Sequence, residues 1–253
     1  MALCEIRLYS EALGMQTTVN VVIPQKNTAG EIGVNGKADR EKYKCLYLLH
    51  GLSDDHSIWL RRTSIERYAQ KYGICVVMPC AGRSFYTDMK YGGKYYTYIA
   101  KELPRQMQEF FSISDKREDN FIAGLSMGGY GALKIGLREC DRFCAAAGLS
   151  SVADIAACKE RFKQTFIPIF GEDLVIDESD DIFSLVEKTN DNPNKPRIYL
   201  GVGTEDFLYA DNLKLKEKLD GLDFDFTYRE SKGNHNWEFW DEYIQYVLAW
   251  MLG

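Results

Sequence analysis

Hydrophobic positions along the chain follow two rhythms. Short, nearly continuous apolar runs recur as "KCLYLLHG", "GICVVMPC", "NFIAGLS", "FCAAAGLS" and "RIYLGVGTED", the length and density expected of strands covered on both faces. Between them lie segments with a helical period, at 58–71, 96–111, 130–139, 208–219 and 237–251. "FDFTYRE" adds a last strand, and "EIRLYSEALGMQTTVNVVIP" splits into two alternating stretches that predict antiparallel strands at one edge. Strand and helix in alternation predict an α/β fold: a mostly parallel central sheet with helices on both faces.

Two places interrupt the rhythm. Pro104 falls inside the second helical segment and predicts a kink or a boundary there, because proline lacks the N–H that a helix interior uses. The stretch 154–196 holds an aromatic run "RFKQTFIPIFGED", an acidic run "DESDD" and a loop "NDNPNKP". No separate core can be counted in it, so it reads as a small cap-like insertion over the strand ends, within a single domain spanning 1–253. "DESDD" lacks the spacing of a calcium loop and is read as a solvated acidic turn.

Composition narrows the function classes. With 253 residues, 45% hydrophobic and 27% charged, the chain can bury a core without disulfides or metals. A net charge of −6 with scattered basic residues offers no footprint for a nucleic acid. No apolar run approaches the ~18 residues of a membrane helix. Glu5 and Arg7 stand where a signal peptide would carry its apolar segment, and the seven cysteines are odd in number with no C-x-x-C pair. A cytoplasmic protein with reduced thiols is therefore expected, and the sequence leaves a homo-oligomer open.

The chemistry centres on "NFIAGLSMGGYGALKIGL". "GLSMG", Gly124 to Gly128, matches G-x-S-x-G between an apolar strand and a helical segment, the strand-turn-helix setting that motif requires. A sharp turn at Ser126 needs neighbours without a Cβ two residues away, and Gly124 and Gly128 meet that need. A glycine-rich turn with an incidental serine is the simpler account of the pentapeptide alone. Phosphate cradling fits worse, since neither G-x-x-x-x-G-K-[ST] nor G-x-G-x-x-G is present. A nucleophilic serine also needs a base.

The chain has three histidines, His50, His56 and His235, and only His235 follows Ser126. In this architecture the order is serine, acid, histidine, which selects His235, in "SKGNHNWEFW", by elimination. The acid should follow the end of a buried strand. "RIYLGVGTEDF" offers Glu205 and Asp206, of which Asp206 is preferred with Glu205 as competitor. Oxyanion donors are expected at the backbone N–H of Met127 and, in the loop after "LYLLHG", of Leu52.

With these pieces placed, the sequence resembles the esterase D-like branch of the α/β-hydrolases, most closely the tributyrin esterase and feruloyl/acetyl-xylan esterase group. The resemblance runs through "LYLLHGLSDDHSIWLRRTSIERYA", "FYTDMKYGGKYYTYIAKELP", "FIAGLSMGGYGALKIGL", "GTEDFLY" and "GNHNWEFWD" in order, while 158–181 matches no block. It implies the α/β-hydrolase fold, a triad of Ser126, Asp206 and His235 with Leu52 and Met127 as oxyanion hole, and so raises Asp206 over Glu205. The expectation is a serine carboxylesterase that uses neither metal nor organic cofactor. Its substrates would be short-chain acyl esters, such as acetyl or hydroxycinnamoyl esters of plant-derived sugars. S-formylglutathione hydrolase is the alternative enzyme and a non-catalytic binding module the alternative class. In the tyrosine-dense "RSFYTDMKYGGKYYTYI", Phe85, Tyr86 and Tyr91 are candidate pocket walls, and Trp237 is a candidate pocket edge.

Overall fold

The computed structural model describes residues 1–25 and 41–253. Its strands are β1 (Ala2–Ser10), β2 (Met15–Ile23), β3 (Cys45–Leu49), β4 (Cys75–Pro79), β5 (Asn120–Leu125), β6 (Ala145–Leu149), β7 (Arg197–Gly203) and β8 (Phe226–Ser231). The helices are α1 (Ile58–Arg62), α2 (Ile65–Tyr72), α3 (Tyr95–Thr97), α4 (Leu103–Phe110), α5 (Met127–Arg138), α6 (Lys163–Phe170), α7 (Ile182–Thr189), α8 (Tyr209–Asp220) and α9 (Trp237–Leu252).

One sheet holds all eight strands in the order β1-β2-β4-β3-β5-β6-β7-β8. β1 pairs with β2, and β2 with β4, antiparallel, and every other pair is parallel. The strand period of two sends alternate side chains into two apolar layers. Cys45, Tyr47 and Leu49 of β3 join α4, α5 and α7 on one face, while Leu46 and Leu48 join α1, α2 and α9 on the other. This two-sided burial is why the inner strands are almost continuously apolar.

Local chemistry moved two predicted helix boundaries and put one at Pro104, where a kink or boundary is expected. The segment 58–71 is two helices, because Thr63 leaves the helical region with φ −135°. Its hydroxyl donates to Trp59 O at 2.6 Å and accepts from Ile65 N–H at 3.1 Å, so one side chain ends α1 and starts α2. Pro104 stands in the first turn of α4, where its missing N–H is harmless, and the preceding turn, Tyr98–Glu102, widens into a π-helix. α5 begins at Met127, three residues before the predicted start at 130, since close packing onto the sheet outweighs the poor helix propensity of Gly128 and Gly129.

Between β6 and β7, the stretch 154–196 carries α6 and α7. Phe166, Ile169, Ile182 and Leu185 from it lie in the same apolar layer as α5. Lys134 of α5 is buried and reaches Asp180 at 2.9 Å, Thr87 Oγ1 at 2.6 Å and Phe85 O at 3.2 Å. Burial pushes its ammonium down to about 8, against the pull of Asp180. Among the described residues, no helix is long and apolar enough to cross a membrane, and no group of three or more His, Cys, Asp or Glu could hold a metal ion.

Candidate active site

At the end of β5 the chain turns at Ser126 with φ 54° and ψ −117° and enters α5 at the next residue. The turn is possible because the backbone passes extremely close to β3. A Cβ on Gly128 would lie 2.5 Å from Leu49 O and 2.6 Å from His50 O, and one on Gly124 would lie 2.4 Å from Gly128 O. The hydroxyl is thereby held at the head of α5, at the positive end of its dipole.

His235, in the loop between β8 and α9, brings Nε2 to 3.1 Å from Ser126 Oγ. Its Nδ1 lies 2.9 Å from Asp206 Oδ2 and 3.1 Å from Oδ1. A carboxylate there requires the Nδ1–H tautomer, which leaves Nε2 free to accept the serine proton. Asp206 follows β7 and its side chain has no exposed surface. Burial alone would push its carboxyl up. The hydrogen bond and charge of His235, with the Leu208 N–H and the Ser150 hydroxyl, outweigh burial and hold it below the usual carboxylate range. Glu205, the competing acid, points to solvent beside Lys232 at 3.8 Å.

The imidazole is also held by packing. Phe207 lies against one side with centroids 4.5 Å apart, and Trp240 stands edge-on at 4.9 Å. Trp240 Nε1 donates to Ser150 Oγ at 3.1 Å, so the ring that supports the histidine is itself anchored. Asn236 starts α9 by accepting from Phe239 N–H, which fixes the loop directly after His235.

Above Ser126 opens a cavity of about 480 Å³ whose wall includes Leu52, Met127, Phe85, Phe162, Trp237 and His235. Among the described residues, neither the Leu52 nor the Met127 backbone N–H makes a hydrogen bond to the protein. Both remain available as donors. The loop carrying Leu52 is braced by His50, whose Nδ1 lies 2.7 Å from Gly51 O and whose Nε2 accepts from Ala81 N–H at 2.9 Å. Burial lowers the His50 pKa, and with both ring nitrogens engaged it is no rival base.

Of the pocket residues expected from sequence, Phe85 and Trp237 line the cavity, whereas Tyr86 and Tyr91 do not. Tyr86 is fully buried against Gly131 of α5, and its hydroxyl donates to His50 O at 2.9 Å. Phe85 and Tyr86 both have positive φ, and this tight turn separates the two rings. Tyr91 is 60% exposed, its N–H bonded to Pro168 O of α6. Phe162, Phe207 and Ser150 are not singled out by the sequence, and Trp240, three residues after Trp237, reads there as helix packing, whereas it also lines the cavity. For Ser150 the available signal is the repeated "AGLS", which ends at Ser126 and again at Ser150.

Comparisons with known proteins find esterases and serine hydrolases. Residues 10–251 match the family described as putative esterase. An acetyl esterase from Caldicellulosiruptor saccharolyticus is 32% identical over 263 residues, covering 99% of this chain and 98% of the relative. Among solved structures, the substrate-bound fluorophosphonate-binding serine hydrolase F of Staphylococcus aureus is 32% identical with a TM-score of 0.87, covering 100% of this chain and 98% of that one. An S-formylglutathione hydrolase from the same organism is also 32% identical, with a TM-score of 0.86 and 100% and 99% coverage.

Proposed function

Because the chain belongs to this esterase family and has its α/β-hydrolase fold, we propose that it hydrolyses short-chain carboxylic esters through an acyl-enzyme on Ser126. The observation that carries the reading is the continuous line from Asp206 through His235 to Ser126 Oγ, beneath a cavity with two unengaged N–H groups. His235 Nε2 takes the Ser126 proton as Oγ attacks the ester carbonyl. The negative charge that develops on the carbonyl oxygen is received by Leu52 and Met127 N–H. The imidazolium then protonates the departing alcohol, and a water activated by the same nitrogen releases the acid. Asp206 holds the tautomer throughout.

The apolar wall formed by Phe85, Phe162 and Val152 suits a small acyl group, and Ser53, Asp54, Arg83 and Asn236 give the rest of the lining a polar character suited to a hydroxylated alcohol. Acetyl or hydroxycinnamoyl esters of plant-derived sugars, including oligosaccharides, are the substrate class, in line with the acetyl esterase relative. The seven free thiols support a cytoplasmic setting. Rapid quenching of the enzyme with p-nitrophenyl acetate should yield an acetylated Ser126 peptide by mass spectrometry. Turnover without that adduct would reject the mechanism.

The second reading, a thioester hydrolase acting on S-formylglutathione, is favoured by Arg83 in the cavity lining and by the solved relative with that activity. Comparing kcat/KM for S-formylglutathione and for acetylated xylo-oligosaccharides decides between the two.

A further inference from the structure

The two edges of the sheet are finished differently. At β8 the exposed charges fold back onto the chain: Arg229 stacks on Tyr246 at 3.6 Å, and Glu230 accepts from Tyr209 and Tyr228. At β1 no strand covers the outer side among the described residues. This strand is nine residues long, contains no proline, and keeps unbroken register with β2. Its exposed face carries Leu3 at 52% and Tyr9 at 54%, with Glu5 and Arg7 between them. Long, regular edges with large apolar side chains are what monomeric proteins avoid.

We propose that this edge is the contact between two copies of the chain, β1 pairing antiparallel with β1 of the partner about a two-fold axis at Ile6. The sequence of the strand, "ALCEIRLYS", selects that register. With Ile6 opposite the partner's Ile6, Glu5 faces the partner's Arg7, and Leu3 faces the partner's Tyr9. Opposite charges and apolar–aromatic pairs directly across a ladder are both favourable. Sliding by two residues one way opposes Glu5 to the partner's Glu5, and the other way opposes Arg7 to the partner's Arg7. Sliding by one residue pairs side chains of opposite faces and breaks the ladder. Of these in-phase registers only the one centred on Ile6 is free of like-charge pairs, and sliding further, by four residues, shortens the ladder and loses the Glu5–Arg7 pairs. Among the described residues, Gln106 Nε2 donates to Tyr9 O at 3.2 Å at the Ser10 end of this edge. An isologous contact of this kind closes at two subunits, giving one continuous sheet across the dimer.

Sedimentation velocity across the micromolar range should show a monomer–dimer equilibrium. Arg7→Glu sets two carboxylates face to face and should weaken it roughly tenfold or more. Glu5→Arg should do the same with two cations, and the double variant Glu5→Arg, Arg7→Glu should restore dimerisation by exchanging the signs. Ile6→Cys in a Cys4→Ser background should form a disulfide-linked dimer with oxidised glutathione, while Cys4→Ser alone should not. Turnover per subunit should stay native in all of them, because β1 lies at the sheet edge, separated from β5 by β2, β4 and β3. A monomer at every concentration, a dimer indifferent to the charge reversals, or a double variant that remains monomeric would each overturn the proposal.

Discussion

Two adjacent strands end in the same three residues and lead into different surroundings. Ala123, Gly124 and Leu125 of β5 stand in register with Ala147, Gly148 and Leu149 of β6, and a serine follows each. Ser126 and Ser150 both leave their strands with left-handed backbones, at φ 54° and 47°. The chain beyond them differs. Met127 and Gly128 lead at once into a helix that needs close approach to Leu49 and His50, whereas Ser151 and Val152 lead into a long loop before α6. Ser126 Oγ meets a histidine nitrogen under an open cavity, and Ser150 Oγ is wholly buried, taking the Trp240 indole N–H and helping to hold the Asp206 carboxyl down. Backbone strain thus marks both positions, and the facing imidazole is what distinguishes the proposed nucleophile from the brace.

The sharpest break in that symmetry should come from removing each hydroxyl in turn. Ser126→Ala should lower kcat for p-nitrophenyl acetate by on the order of 10⁵–10⁶ with an unchanged melting temperature, as expected when a nucleophile that acts only in the chemical step is lost. Ser150→Ala should lower kcat only about tenfold and should reduce stability by about 1–3 kcal/mol, since a buried indole N–H loses its acceptor. Equal losses of activity would erase the distinction. Next in size, Asp206→Asn should cost on the order of 10⁴ in kcat, because an amide that donates to Nδ1 imposes the wrong tautomer on His235. A loss no larger than that of Glu205→Gln would move the acid elsewhere.

The sequence made the backbone of this arrangement legible and left its braces hidden. Apolar runs such as "CLYLL" and "CVVMP" reveal inner strands because burial on both faces leaves no polar alternation to confuse them. The order of one serine, a strand-end carboxylate and one histidine singled out residues that the fold brings within hydrogen-bond reach. Strand-end position could not separate Glu205 from Asp206, because adjacent residues there point to solvent and to the interior. Tyrosine density likewise could not say that Tyr86 faces α5 and Tyr91 faces water, since two consecutive residues of positive φ decide it. The break at Thr63 depended on one hydroxyl competing with the helical backbone.

Smaller effects probe how Ser150 acts. Replacing it with glycine rather than alanine removes the same acceptor but relieves the left-handed strain at φ 47°. Ser150→Gly should therefore be more stable than Ser150→Ala by about 0.5–1 kcal/mol in urea unfolding, with the same kcat. If the two variants differ in kcat instead, the backbone and not the hydroxyl is what supports Asp206.

The smallest expected signal is the pH dependence of stability. Asp206 titrates below the ordinary carboxylate value when the protein is folded, so beneath about pH 4 the unfolded chain binds more protons than the folded one. Its contribution to stability is complete above the ordinary value and is lost as pH falls through the folded value. Removing the Ser150 hydroxyl takes away one of the groups holding that carboxyl down, so the folded pKa moves up toward the unfolded one. In urea unfolding from about pH 5 to pH 3, Ser150→Gly should lose less stability than the native protein. Ser126→Ala, whose hydroxyl contacts the histidine and not the carboxylate, should follow the native curve. If instead Ser126→Ala flattens the acid limb and Ser150→Gly does not, the brace is assigned to the wrong serine of the pair.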